Sequence, residues 1–378
     1  MTMSVPEPSL TTRNATLESL ADLLRDQSAR KIDVVARPSA LYASGGQIVI
    51  DQTVPLLGQD GVTMTAGAYR PTRVCDQGIA GKLAIPAAYL RRLREDHPVL
   101  YDANVNGWLE RDDRKFLIRC LRGSGGTGIA RAFLSDGYKF IDSLDGLLAA
   151  LDGVRQSGYP VQVTGCDLSE QRMYVHVRCD QVRVLAPVLL AGYRSPFTGA
   201  SGAGNPVISA GFMITNSETG CGAFRVTPRL VARVCDNGMT ITRQSVKAVH
   251  LGERLDEGIQ WSAETSDKLL ALLTSKTRDA VRSFLDPAWV ERAVRALETE
   301  AGHPVAEPGE AIRVISTELR FTEAQQKDIL RHFFLGTDLT AGGVMHAITS
   351  VAQTIYDPDV AHDMEAAALR GLHLAAAL

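Results

Sequence analysis

Arg172-Met-Tyr-Val-His-Val-Arg-Cys179 alternates by twos: Met173, Val175 and Val177 fall on one side of an extended chain, and His176 falls on the other. A half-buried β-strand is the reading, and its neighbours repeat the theme. VQVTGCDL precedes it, and VRVLAPVLL, VISAGFMITNS, AFRVTPRLVARVC and MTITRQSV follow, so β patterning dominates from Val161 to about His250. Within this stretch, Tyr193 to Pro206 (YRSPFTGASGAGNP) reads as a long glycine-rich loop.

Moving towards the N-terminus, KFLIRCL and IARAFLSDGYKFI read as two strands joined by the glycine-rich RGSGGTG. The helix SLDGLLAALDGVRQSG follows, with Ser143 as its candidate cap. Earlier still, Leu17, Leu20, Leu23 and Leu24 recur at helical spacing, with Asn14 or Thr16 placed to cap. VVARPSALYASGGQIVID is strand, turn, strand, with Gly45 and Gly46 at the turn. Pro71 and Pro86 open two helices, and VLYDANVNGWLERD is a third. After Gly258 the pattern is helical to the end, with caps expected at Ser262, Thr322 and near Asp359. Strand runs followed by helix runs favour α+β, with a mixed or antiparallel β-rich centre, N-terminal helices and an all-helical C-terminal region. The expected division is a flexible tail at 1–15, an α+β core at 16–257 and helices at 258–378.

Composition bounds the function. Of 378 residues 45% are hydrophobic and 22% charged, which places the chain among globular proteins. The polar start and the lack of a long apolar run give no sign of a secretion signal or a membrane span, so a cytoplasmic protein is expected. Six cysteines, none in a Cys-x-x-Cys pair, read as buried reduced thiols. The net charge of −3 is uneven: from Glu300 onwards 11 acids face 5 basic residues, so the preceding part is net +3.

No enzyme signature is present. Gly123-Ser-Gly-Gly-Thr-Gly128 contains G-x-G-x-x-G, but a strand follows where dinucleotide binding needs a helix N-terminus, so a hairpin connection is expected. The eight histidines show no tight metal spacing; His176 reads as a strand-surface residue, and His332, His346, His362 and His373 are spread over helices. No cofactor or metal is expected.

Basic residues on the β segments carry the functional reading. Arg119, Arg122 and Arg131 flank the glycine hairpin, with Tyr138 and Lys139 beyond it, and Arg225, Arg229 and Arg233 recur at a spacing of four that stays on one face. Cations that track phosphates beside rings that stack on bases are how many proteins hold single-stranded nucleic acid. The plainer alternative is a solvated face with ion pairs, and the same holds for the basic run Arg70, Arg73, Lys82, Arg91, Arg92 and Arg94 and for Lys247 with His250.

Three further motifs occur in order. GIAGKLAIPAAYLRRL is helix, Ile-Pro, helix; ARAFLSDGYKFID spans Ala130 to Asp142; ITNSETGCGAFRVTPRLVARVCDNGMTI carries Asn216, Ser217 and Gly220, then arginines, then Cys235, Asn237 and Gly238. Together they resemble a phage- and plasmid-borne family, domain of unknown function 932, over roughly 70–250. Gly137 and Asp236 depart from the family pattern. The resemblance implies a mobile-element setting and no measured activity. The expectation is a homo-oligomeric protein that binds single-stranded nucleic acid or anneals strands in recombination. The alternatives are a non-enzymatic protein that binds a host or phage protein through its acidic helices, and a nuclease using Asp136, Asp142 and Asp167.

Overall fold

A computed structural model describes residues 8–51, 53, 56–58, 61–123, 127–234, 237–240, 246–248 and 263–378. The chain is α+β: two large sheets interspersed with helices, then a helical C-terminal region. Strands and helices are numbered in chain order.

The first sheet runs β1 (Thr12–Ala15), β10 (Gln162–Leu168), β11 (Met173–Leu185), β12 (Val207–Asn216), β13 (Phe224–Ala232) and β14 (Asn237–Thr240), with β15 (Val246–Ala248) also on β13. Every pair in it is antiparallel. The second sheet runs β2 (Lys31–Ala36), β8 (Phe116–Arg122), β9 (Thr127–Ser135), β7 (Gly67–Pro71), β4 (Gln47–Ile50) and β3 (Leu41–Ser44). Here β7 and β9 run parallel. Short strands β5 (Leu56–Gly58) and β6 (Gly61–Thr63) pair separately.

Each sheet has its own core. In the second, β-face residues such as Ile32, Val34, Ile48 and Ile118 pack on α2 (Arg73–Leu83), α3 (Ala87–Asp96) and α4 (Pro98–Leu109). Thr72 caps α2 by accepting from the Cys75 N–H. Gly45 and Gly46 take φ of 59° and 73° at the β3–β4 turn, and Asp102 accepts both their N–H groups.

In the first sheet the alternation read from Met173, Val175 and Val177 holds. These residues join Cys166, Phe212, Ile214, Val226 and Leu230 in a core with α1 (Leu17–Arg30), α5 (Ser143–Ser157) and α7 (Ala263–Phe284). The short α6 (Pro187–Leu190) and α8 (Pro287–Ala301), α9 (Pro308–Glu318), α10 (Glu323–Leu335), α11 (Ala341–Thr354) and α12 (Pro358–Ala377) extend that core. Thr16 and Thr322 cap α1 and α10 as expected, Thr322 in a reciprocal capping box with Gln325. At α5 the cap position is Asp142 and Ser143 is the first helical residue. Ser262, expected to cap α7, lies outside the described residues.

The other face of the first sheet is polar. It presents Asp167 from β10, Tyr174, His176 and Arg178 from β11, Thr215 from β12, and Arg225, Thr227 and Arg229 from β13. The N-terminal part of α12 lies over this face, with His362 and Glu365 turned towards it. A polar sheet face normally meets water, and here much of it is buried under a helix. That placement defines the site.

Among the described residues no helix is long and apolar enough to cross a membrane. Cys75, Cys120, Cys166 and Cys179 are buried free thiols, and Cys221 is half-buried and free.

Candidate functional site

Asp167, His176 and His362 come together where α12 crosses the β10–β11 hairpin. Asp167 and His176 are diagonal neighbours on one face, because Asp167 pairs with Tyr174 and Gly165 with His176. His362 arrives from 195 residues away in sequence. Its Nε2 stands 3.0 Å from Asp167 Oδ2 and 3.3 Å from His176 Nε2, and His176 Nε2 lies 3.5 Å from the same oxygen. All three side chains are buried.

Neighbours fix these groups. The Tyr174 ring stacks on His362 at 3.8 Å, and the Tyr174 hydroxyl donates to Asp359 Oδ1. Asp167 Oδ1 accepts the Asn14 N–H at 2.7 Å, while Arg13 Nη1 reaches Oδ2. Glu365 Oε2 lies 3.7 Å from His362 Nδ1, and Arg229 Nη2 contacts both oxygens of Glu365, at 2.7 and 2.8 Å.

The environment separates the two histidines. Burial, helped by the nearby Arg229 charge, pushes His176 down to about 4. Burial also opposes charge on His362, but the hydrogen bond to Asp167 and the nearby Glu365 carboxylate outweigh it and move this ring upwards. Asp167 is driven well below the carboxylate range: burial alone would raise it, and hydrogen bonds from both histidines and Asn14 override that. Glu365 falls to about 2, its burial outweighed by Arg229 and His362.

Two clefts flank His362. One, of about 540 Å³, is lined by Arg13, Arg178 and Arg229 with His176, Gln162, Gln353 and a single acid, Glu365. The other, of about 190 Å³, has Arg172 and Arg225 beside Thr215, Thr227 and Asp363. The two linings hold five arginines against two acids, in a chain whose net charge is −3.

The residues expected from sequence divide between the sheets. Arg229 and Arg225 lie on the polar face, one in each cleft. Arg233 follows β13 and pairs with Asp180 at 3.0 Å. Arg229 is a buried ion-pair partner, not a free surface cation, because α12 brings Glu365 onto it. The Arg225 side chain is exposed and makes no ion pair among the described residues.

Arg119, Arg122 and Arg131 belong to the second sheet. Arg119 is 1% exposed, so it does not present its charge to a phosphate. It binds Asp33 at 2.7 and 3.1 Å, Asp142 at 2.7 Å and the Glu218 carbonyl at 3.0 Å, with Phe140 stacked on its guanidinium. Arg131 and the Ser143 N–H both bind the Glu218 carboxylate. Arg122 is exposed and donates to the Ala29 carbonyl. Tyr138 and Lys139 follow β9, half-exposed and outside both clefts. Asp136, Asp142 and Asp167 are not brought together: Asp136 accepts its neighbour's N–H in an exposed turn, and Asp142 answers Arg119 and Lys31. Within the basic run, Arg94 pairs with buried Asp76 at 2.7 Å. His250 lies outside the described residues, as does the side chain of Lys247.

Two of the three sequence motifs meet at this second network. Arg131 and Asp142 come from the Ala130–Asp142 element, and Glu218 from the Asn-Ser-Glu-Thr-Gly turn. In that turn Asn216 donates to the Ile141 carbonyl, Ser217 accepts from the Thr219 and Cys221 N–H groups, and Gly220 takes φ of 87°. The two motifs therefore join the two sheets through buried charge. No protein-family model, curated protein or solved structure matches the chain. The likeness to domain of unknown function 932 rests on the quoted motifs alone.

Proposed function

We propose that the chain binds a nucleic-acid strand through its phosphates, along the polar face of the first sheet. The observation that carries this reading is the lining of the two clefts, where five arginines stand beside two acids near His362: Arg225 is exposed with no ion pair among the described residues, Arg172 lies 3.7 Å from Asp363, and Arg13, Arg178 and Arg229 are paired with Asp167, Asp180 and Glu365, so a phosphate must compete for them. Guanidinium groups suit phosphate because their planar forks donate in pairs. Thr215, Thr227, Gln162 and Gln353 add neutral polar groups of the kind that position a backbone without reading sequence. Apart from His176 and His362, the one aromatic ring among the described lining residues is Tyr174, which is buried against His362. The reading is therefore phosphate contact, with little base stacking. The motif resemblance implies a mobile-element setting, and the proposal extends to phage or plasmid DNA metabolism by a homo-oligomer.

The test is fluorescence anisotropy of a labelled single-stranded oligonucleotide with nuclease-treated protein at 50 and 200 mM salt. Each phosphate contact adds about 0.7 to the slope of log affinity against log salt. Three or more contacts predict a slope steeper than roughly −2. Absence of binding at the lower salt would sink the proposal.

A further inference from the structure

We propose that Asp167, His176 and His362 hold a first-row divalent transition metal of the zinc class, with a coordination position open to the larger cleft. This inference does not rest on nucleic-acid binding, and its test uses no nucleic acid.

The geometry comes first. Zinc-class ions lie about 2.0–2.2 Å from imidazole nitrogen and carboxylate oxygen. Two ligands of such an ion stand roughly 3.0 Å apart at a right angle and roughly 3.4 Å apart at the tetrahedral angle. The three donor atoms here are separated by 3.0, 3.3 and 3.5 Å. They form one face of a coordination polyhedron, and an ion would sit just off their plane.

The donor chemistry agrees. Two imidazoles and one carboxylate suit zinc, iron or cobalt better than magnesium or calcium, which favour all-oxygen sites. Both histidines direct Nε2 inwards. The Nδ1 of His362 lies 3.7 Å from Glu365, within a small adjustment of a hydrogen bond, while the buried Nδ1 of His176 has no protein partner among the described residues. A carboxylate behind a ligating histidine fixes its tautomer and raises its basicity, and Arg229 holds Glu365 in that position. The Asn14 N–H takes Asp167 Oδ1, which orients Oδ2 towards the histidines.

Openness follows from the strand. Gly165 stands opposite His176, and a Cβ built on it would meet nothing within 4 Å. The cleft reaches the cluster there, lined by Thr164, Gly165 and Arg13. Three protein ligands and an open position is the pattern of a catalytic rather than a structural zinc site. Among the described residues Arg13 opposes the ion most directly, since it shares Oδ2 with the ion's position, while the Arg229 charge near His176 is held by Glu365. Its side chain is 16% exposed at the cleft wall, so binding an ion displaces it and leaves Asn14 on the carboxylate.

The experiment titrates Co²⁺ into the chelator-stripped, tag-free chain, followed by visible absorption, with Zn²⁺ as competitor. The expected result is one equivalent of Co²⁺ bound per chain, with ligand-field bands that Zn²⁺ abolishes and Mg²⁺ does not. His176→Gln and His362→Gln should weaken binding by roughly 100-fold or more, beyond the roughly 10–100-fold cost of losing an outer-shell partner. Arg13→Ala should bind more tightly than wild type, because it removes the competing cation. Circular dichroism checks that each variant folds. If the histidine variants fail to fold, wild-type stoichiometry and the Arg13→Ala shift decide. Absence of stoichiometric Co²⁺ or Zn²⁺ binding by wild type overturns the proposal. So does unchanged binding in a folded His176→Gln, or weakened binding in Arg13→Ala.

Discussion

Replacing Arg119 by methionine is expected to destabilise the fold by roughly 3–5 kcal/mol, the usual cost of removing one partner from a buried ion pair. Arg119 meets Asp33 and Asp142 directly and lies 3.8 Å from Glu218, and it is almost fully buried. Without it the cations that pair with these three carboxylates, among the described residues, are Arg131 and Lys31. Arg119→Lys keeps the charge but loses the fork that spans Asp33 and Asp142, so its loss should be smaller. Urea unfolding measures both variants, and a loss below about 1 kcal/mol for Arg119→Met would contradict the network's role.

The same network carries a pH signature. Glu218 sits well below its ordinary 4.5: burial raises it, but Arg131 and Arg119 outweigh burial. A carboxyl lowered by folding contributes stability above its unfolded value and loses it as pH falls through the folded one. Wild-type stability should therefore decline below about pH 4.5, and this decline should shrink in Arg119→Met.

Gly153→Val is the second large expected effect, near 3 kcal/mol at the upper end of overpacking costs. Gly153 lies where α5 crosses α7. A Cβ there would stand 2.4 Å from the Thr274 carbonyl oxygen and 2.9 Å from Thr277 Cβ. The first of these is backbone and cannot swing away. The helices must part, which opens the core that joins Val154 to Val281. Gly81→Ala is the control, since nothing lies within 4 Å of its added Cβ and alanine is the better helix former. Equal urea midpoints for Gly153→Val and wild type would show that this crossing bears no load.

Local rules made much of the fold legible. The alternation at Met173, Val175 and Val177, the Gly45-Gly46 turn and the Thr16 and Thr322 caps are interactions within a few residues, and each appears in the structure. The parallel pairing of β7 with β9 was not legible, because it depends on three intervening helices and β8.

The candidate site was half legible. Asp167 and His176 share a hairpin face, so their proximity follows from alternation and a short turn. His362 gives no local sign of joining them. Its helix position becomes informative only once α12 is known to cross β10 and β11. Charge was the opposite case: the basic stripes were visible, but their partners were not. Arg119 and Arg229 look like surface cations until Asp33, Asp142 and Glu365 arrive from distant segments.

The most direct measurement sets two double variants side by side in the oligonucleotide titration. If the polar sheet face carries binding, Arg178→Ala with Arg225→Ala should flatten the salt slope by about 1.4, two contacts at about 0.7 each. Arg122→Ala with Lys139→Ala, outside both clefts, should leave the slope unchanged. The reverse pattern, an unchanged slope in the cleft pair and a flattened one in the hairpin pair, would contradict the account.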